Sequence, residues 1–233
     1  MGPNGGGRPR PRTGAPLPEL RIRPAGRADA AEAARLHAQG IDQGFLSLLG
    51  PRFLGRLYRR IGLDPGSFLL VATDGDGVDT ESVVGFIAGS VDVPALYRSF
   101  LWRDGVVAAV PALGHLVAHW PRVVETLRHG SSDGAGTGRG AELLAIAVDG
   151  DVRGRGAGGT LVAAFVEELG RRQVDAAHVV VGADNEAAVG LYQRAGFTSV
   201  GRFELHPGTE SLLMQWDRAA RPGPLPAAGG PTP

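Results

Sequence analysis

The chain has 233 residues, 43% of them hydrophobic, which is enough to build one core of ordinary size. Its 24 basic and 24 acidic residues cancel, so no strong electrostatic field favours nucleic acid or an anionic membrane. No cysteine is present, which excludes disulfides, thiolate nucleophiles and cysteine-ligated zinc.

The chain carries no apolar run typical of a signal peptide or of a membrane span, which predicts a cytoplasmic protein. Residues 1–17 and 221–233 are rich in glycine and proline and cannot bury a core, so we expect them to be disordered tails. Between them, residues 18–220 are predicted to form one domain, in which residues 130–140 are typical of a flexible linker.

Alternating apolar residues and turn residues predict the elements of the first half. Asp29 and Glu32 have the spacing of a capping box and predict the start of a helix. The helix that begins at Gly50-Pro51 has an apolar face of Phe53, Leu54, Leu57, Tyr58 and Ile61. The predicted elements are a strand at 19–23, helices at 29–38 and 50–62, and strands at 68–72 and 83–91.

Residues 94–128 follow the third strand and are predicted to form two helices, broken near Pro111 or Pro121. Residues 105–121 contain no Asp, Glu, Lys or Arg. This composition favours a buried helical hairpin, and a lid or a face for a lipid-like substrate are the alternatives.

In the second half, strands and helices alternate, which indicates an α/β sheet. The predicted elements are a strand at 141–148, a helix at 157–171, a strand at 177–182, a helix at 185–195, and strands at 198–204 and 211–216.

A glycine-rich turn, Arg153-Gly154-Arg155-Gly156-Ala157-Gly158-Gly159, joins the strand at 141–148 to the next helix. Backbone N–H groups in such a turn and the helix dipole both favour a phosphate group, and glycines permit its close approach. The N–H groups of residues 155–159 are predicted to face that anion. The glycines also fit the dinucleotide pattern G-x-G-x-x-G, but too few residues follow for the βαβ units of that fold.

A second motif, DNEAAVGLYQRAGF at residues 184–197, follows the glycine-rich turn. Together with Arg153-x-x-Gly156-x-Gly158, it resembles the GNAT superfamily of acetyl-CoA-dependent N-acetyltransferases over roughly residues 141–203. The resemblance implies a mixed, mostly antiparallel sheet flanked by helices and splayed between its fourth and fifth strands to admit pantetheine. Residues 94–128 would be a helical insertion between the third and fourth strands, where the family has a short loop.

The resemblance also implies acetyl-CoA as the acetyl donor, and no metal is expected. The main chain of Ile146, Ala147 and Val148 would pair with the amides of pantetheine, as an added strand does. The pyrophosphate would meet the turn, and Gly154 joins that set by resemblance. Arg153 faces either phosphate or solvent. Asn185 is a favoured helix N-cap and, by resemblance, also a cofactor contact.

Two residues are candidates for the chemistry. Tyr192 lies two helical turns after Asn185 on the same face, and the resemblance makes it the acid that protonates the departing CoA thiolate. Glu142 begins the fourth strand and resembles the base of the histone-acetyltransferase branch, the alternative being a solvated carboxylate. Another branch places its base on the fifth strand, where this chain has Val180.

The acceptor end would be lined by residues 39–49 and by the insertion, with Phe45, Tyr97, Arg98, His115, His119 and Trp120 as candidates. The predicted function is acetyl transfer to a primary amine of a small molecule, such as an amino sugar or aminated metabolite, by direct attack in a ternary complex. The alternatives are a protein or peptide amine acceptor, or a sensor that binds CoA without turnover. A monomer or homodimer is expected.

Overall fold

The computed structural model describes residues 20–41, 50–75, 81–104, 140–206 and 209–220. The predicted tails, residues 105–128 of the insertion with Pro111 and Pro121, and the linker other than Gly140 lie outside these ranges. The strands are β1 (Arg21–Pro24), β2 (Ser67–Asp74), β3 (Ser82–Ser90), β4 (Gly140–Val148), β5 (Ala176–Gly182), β6 (Thr198–His206) and β7 (Thr209–Asp217). The helices are α1 (Asp29–Gly40), α2 (Gly50–Leu63), α3 (Val93–Asp104), α4 (Ala157–Arg171) and α5 (Glu186–Arg194), with a 3₁₀ turn at Gly150–Val152.

The seven strands form one mixed sheet in the order β1-β2-β3-β4-β5-β7-β6. Every neighbouring pair is antiparallel except β4 and β5, which run parallel. The parallel pair is short, because it joins Gly140, Ala141 and Glu142 to Ala176, Ala177 and His178 and extends no further. The predicted mixed, mostly antiparallel sheet is therefore confirmed, as is the divergence of its fourth and fifth strands.

Helices cover both faces of the sheet and form two hydrophobic clusters. Helix α4 buries Leu161, Phe165 and Leu169, which recur at helical spacing, against one face, where Tyr192 of α5 also packs. Helices α1, α2 and α3 pack on the other face. The start of the predicted insertion is confirmed as helical, because α3 begins at Val93 and buries Leu96 and Phe100.

A glycine on β3 allows α4 to approach the sheet closely. A Cβ atom on Gly89 would lie 2.5 Å from Cζ of Phe68 and 2.6 Å from Cε2 of Phe165. Since real Cβ atoms do not approach ring atoms this closely, the position requires glycine. Within the described ranges, no helix is both long and apolar enough to span a membrane.

Candidate functional site

The divergence of β4 from β5 leaves one edge of β4 open beyond Glu142. On the other edge, β4 pairs with β3 up to Val148, and the amide of Asp149 continues the ladder by donating to the Val84 carbonyl at 2.8 Å. Because main-chain groups point to alternate sides along a strand, those of Ile146 and Val148 point into the gap. The carbonyl of Val148 accepts a hydrogen bond there from Nε of Arg153, at 3.2 Å.

The main chain of Ala147 points to the opposite side of β4 from those of Ile146 and Val148. Its carbonyl oxygen points toward β3, 3.2 Å from the position that a Cβ atom on Gly85 would take. Its main chain therefore faces the β3 ladder, and its pairing with pantetheine stays a prediction. The open main chain belongs to Ile146 and Val148.

The glycine-rich turn leads from the end of β4 into α4. Gly154 and Gly156 have φ angles of 77° and 87°, in the left-handed region that strongly favours glycine. The first amide to bond within α4 is that of Thr160, which donates to the Gly156 carbonyl at 3.0 Å. The amides of Ala157, Gly158 and Gly159 precede it at the positive end of the helix dipole, an arrangement that suits an anion.

The two arginines of the turn contribute differently from its glycines. The Arg155 amide donates to the Val152 carbonyl at 3.3 Å, and the Arg153 amide donates to the Gly150 carbonyl at 3.4 Å. These bonds hold the turn together, and a contact of the Arg155 amide with the anion stays a prediction. Both arginine side chains are exposed, and each carries a charge that suits a phosphate.

Asn185 caps α5, as predicted. Its side-chain oxygen accepts a hydrogen bond from the Ala188 amide at 3.1 Å, which satisfies one of the amides at the start of the helix. Its contact with the cofactor remains a prediction. Helices α4 and α5 approach each other at Gly158, where a Cβ atom would lie 3.4 Å from Cδ2 of Leu191.

Tyr192 is buried on α5 with its ring 5.6 Å from that of Phe197, measured between centroids. Burial raises the pKa of Tyr192 well above the ordinary value for a phenol. The hydroxyl therefore stays protonated at neutral pH and can donate a hydrogen bond or a proton. Its part as the acid in catalysis remains a prediction.

Glu142 lies where β4 and β5 separate, because its pairing with His178 is the last one between the two strands. Its Oε2 atom is buried and has no hydrogen-bond partner among the described residues. Nε2 of His178 lies 3.7 Å from that oxygen. The Glu142 side chain is only 18% exposed, so its carboxylate is recessed, and its part as the base stays a prediction.

His178 is not among the candidates predicted from the sequence. Val180, two positions further along β5, is compared with a catalytic base because another branch of the family has its base at that position. Two-residue alternation places Val180 and His178 on the same face of β5, but only the register of the strands shows that His178 stands opposite Glu142.

Tyr97 on α3 lies near Glu142, and Tyr58 on α2 and His37 on α1 follow it as successive neighbours. Burial and the nearby Glu142 carboxylate raise the pKa of Tyr97 on α3. Burial, followed by the proximity of Tyr97, raises the pKa of Tyr58 on α2. The Tyr58 hydroxyl lies 2.6 Å from Nδ1 of His37. Of the predicted acceptor residues, Tyr97 is thus near Glu142.

The structure does not place the other predicted acceptor residues beside Glu142. Arg98 is exposed on α3, and Phe45, His115, His119 and Trp120 lie outside the described residues. In the described part of the chain, no group of three His, Asp or Glu side chains is arranged to hold a metal ion.

Comparison with known proteins finds acetyltransferases among the proteins similar to this chain. Residues 45–197 match the model of the Acetyltransferase (GNAT) family. The chain is 32% identical over 127 residues to a mycothiol acetyltransferase of Paenarthrobacter aurescens (strain TC1). That match covers 53% of this chain but only 32% of the relative's length.

Two solved structures have a similar fold. A GCN5-related N-acetyltransferase from Kribbella flavida superposes with a TM-score of 0.57 at 20% identity, over 85% of this chain and 97% of that chain. The yncA protein of Salmonella typhimurium, solved with its cofactor acetyl-CoA, superposes with a TM-score of 0.55 at 16% identity, over 88% of this chain and 97% of that chain.

Proposed function

This chain belongs to the GNAT family of acetyltransferases, and from that premise we propose that it moves acetyl from acetyl-CoA to the primary amine of a small molecule. The amine attacks the thioester directly in a ternary complex. The observation that carries the proposal is the open main chain of Ile146 and Val148, which leads toward Glu142 in one direction and toward the glycine-rich turn in the other.

The donor fits these residues by its chemistry. The two amides of pantetheine pair with the open main chain of Ile146 and Val148, as an added strand would. The pyrophosphate meets the amides of Ala157, Gly158 and Gly159 at the start of α4, while the positive φ angles of Gly154 and Gly156 shape the approach. Arg153 and Arg155 supply positive charge, and Asn185 offers its side-chain amide N–H groups to the donor.

Glu142 and Tyr192 divide the proton transfers. Glu142 removes a proton from the substrate ammonium, which frees the nitrogen lone pair. The amine then forms the C–N bond to the acetyl carbonyl carbon, and the C–S bond to CoA breaks. Tyr192 donates its proton to the departing thiolate and recovers one from the nitrogen that has become the amide. Buried and neutral, Tyr192 is in the protonation state that this step needs.

A small-molecule amine is supported by two observations. The relative with 32% identity is a mycothiol acetyltransferase. The net charge of zero also gives no field that would gather a strongly basic peptide.

The test is a screen of amines with acetyl-CoA in which release of the CoA thiol is measured. We expect one class of small amines to release thiol and to gain one acetyl group by mass spectrometry. Glu142→Gln should suppress the release, whereas the exposed Glu210→Gln, whose carboxylate pairs with Arg202, should not. Acetyl-CoA binding without thiol release for any amine or peptide would indicate a sensor, and release with peptides alone would reassign the acceptor.

A further inference from the structure

The recessed carboxylate of Glu142 and the imidazole of His178 stand directly opposite each other at the last pairing of β4 with β5. We propose that His178 is a positioning residue for the base: it orients the Glu142 carboxylate and takes over the proton that Glu142 removes from the acceptor amine. The inference rests on the proposed function, in which Glu142 is that base.

The geometry brings the two groups together from separate strands. Their side chains project from the same face, because residues opposite each other in neighbouring strands do so. They are only 18% and 12% exposed, and the two facing atoms, Oε2 of Glu142 and Nε2 of His178, are both buried. The 3.7 Å between these two atoms is longer than a hydrogen bond, and a small rotation of either side chain would close the difference. Catalytic contacts often tighten in this way only when substrate binds.

The proton balance of the reaction gives the pair its task. A primary ammonium carries three protons on nitrogen, whereas the amide product carries one. One of the two protons lost ends on the CoA sulfur, and the other passes to Glu142 and must leave before the next turnover. An imidazole ring nitrogen can accept that proton from the carboxylate, which returns Glu142 to the form that acts as a base.

The charges around His178 favour that destination. On β4 it faces the Glu142 carboxylate, and on β7 the neighbouring pair Ala176–Asp217 places the Asp217 carboxylate on the same face. Tyr97 of α3, whose pKa is raised by burial and then by the Glu142 carboxylate, is a neutral phenol at physiological pH. The Glu142 and Asp217 carboxylates thus lie on the sheet face that His178 occupies, and a ring that carries the proton can donate a charge-assisted hydrogen bond to Glu142.

The first test measures kcat against pH in wild type, His178→Gln and His178→Leu, with saturating acetyl-CoA and the best amine from the screen. We expect His178→Gln to lower kcat at pH 8 by about tenfold or more, a part of the usual contribution of acid–base groups. The acidic limb of the profile should change its position, because the Glu142 carboxylate then acts without the imidazole. The affinity for CoA should not change, nor should the acceptor KM. His178→Leu, which cannot donate to Glu142, should lose more.

Two further measurements separate this role from a purely structural one. Added imidazole should restore part of kcat to the His178→Ala variant. It should not change kcat of the Gln215→Ala variant, which alters the residue opposite His178 on β7. Nuclear magnetic resonance of the His178 ring should show different ring-nitrogen chemical shifts in wild type and in Glu142→Gln, because the carboxylate contacts Nε2 only in wild type. This measurement needs no catalysis, and identical ring shifts in the two proteins would overturn the proposal.

The outcomes for the two residues are distinguishable. If Glu142→Gln abolishes turnover while His178→Gln keeps the wild-type kcat and acidic limb, the inference about His178 fails and the proposed function stands. If Glu142→Gln retains full turnover, the assignment of the base fails, and with it the role of His178.

Discussion

Nε of Arg153 donates a hydrogen bond to the carbonyl oxygen of Val148 at 3.2 Å, so a side chain from the glycine-rich turn lies against the open main chain of β4. Nη2 of the same guanidinium lies 3.1 Å from the position that a Cβ atom on Gly40 would take, at the end of α1. The positively charged guanidinium of Arg153 thus lies at the end of the open edge of β4, where it would attract the proposed pyrophosphate.

Arg153→Ala should weaken CoA binding by about tenfold. The loss of a charge-assisted phosphate contact costs more than is gained by freeing the Val148 carbonyl, since hydrogen bonds to charged groups contribute about 1.5–3 kcal/mol and neutral ones about 1 kcal/mol. Calorimetry with CoA measures the change. Arg171→Ala, at the far end of α4, is the control and should bind normally. Tighter binding by Arg153→Ala would mean that Arg153 only competes for Val148.

Gly159→Ala should separate stability from cofactor binding. No heavy atom lies within 4 Å of the added Cβ, and alanine in place of glycine in a helix stabilises it by up to about 1 kcal/mol. Because Cβ atoms tilt toward the helix N-terminus, the methyl group crowds the proposed phosphate position. Loss of one hydrogen bond to the charged phosphate should weaken CoA binding by about tenfold or more. Urea unfolding and calorimetry measure the two effects. Gly55→Ala on α2 is equally unobstructed and should gain stability without weaker binding.

Tyr192→Phe should lower kcat by about 10²- to 10⁴-fold and leave CoA affinity nearly unchanged. The phenyl ring fills the same space beside Phe197, so only the hydroxyl is lost. Because burial raises the Tyr192 pKa, its neutral form persists above pH 10, and we expect no alkaline limb from it below that pH. Tyr58→Phe is the matched control for a buried hydroxyl: it loses the His37 contact and some stability, but not kcat. A wild-type rate in Tyr192→Phe would eliminate the acid role.

Acidification should destabilise the fold through His37. Burial lowers the His37 pKa to about 4, below the ordinary 6.5, so its stabilising contribution is full above pH 6.5 and is lost as the pH falls toward 4. Between pH 7.5 and pH 5 this single group should cost about 2 kcal/mol of unfolding free energy. His37→Asn keeps an acceptor near the Tyr58 hydroxyl but does not titrate. Its urea-unfolding free energy should therefore fall less over that pH range than that of wild type, and parallel curves would contradict the prediction.

Gly89→Ala should destabilise the fold by about 1–3 kcal/mol, the usual cost of overfilling a packed core. The rings of Phe68 and Phe165 stand 2.5 and 2.6 Å from the new methyl position and have no free end that can yield. Urea unfolding is the measurement. Gly62→Ala on α2, where no heavy atom lies within 4 Å, controls for the change of residue type and should not destabilise. No loss of stability in Gly89→Ala would mean that β3 or α4 shifts without cost.

Local patterns of the sequence were sufficient to predict most of the helices and strands. Helix α4 spans the predicted residues 157–171, because a glycine turn precedes it and its apolar residues recur at helical spacing. Strand β1 begins at Arg21 rather than at residue 19, and α1 continues to Gly40. Element ends depend on pairing partners and on capping, which a local pattern does not contain.

The site was less predictable wherever it depends on register between distant segments. Glu142 was a candidate from its place in β4, but its neighbour His178 comes from the alignment of two parallel strands that the chain joins through α4. The orientation of Ala147 depends on which edge of β4 is paired, and the contact of His37 with Tyr58 depends on how α1 packs on α2. None of these relationships has a sequence spacing that would reveal it.

The divergence of β4 from β5 also bears on how a protein protects exposed strand edges. Unpaired main-chain groups at the rim of a sheet invite other chains to add on and aggregate. Here the main-chain groups of Ile146 and Val148 that point away from β3 belong to an interior strand, between β3 and β5 in the strand order, and the Val148 carbonyl accepts from Nε of Arg153. Because β5 lies beyond the gap, the open part of β4 is not the outer rim of the sheet, where other chains would add on.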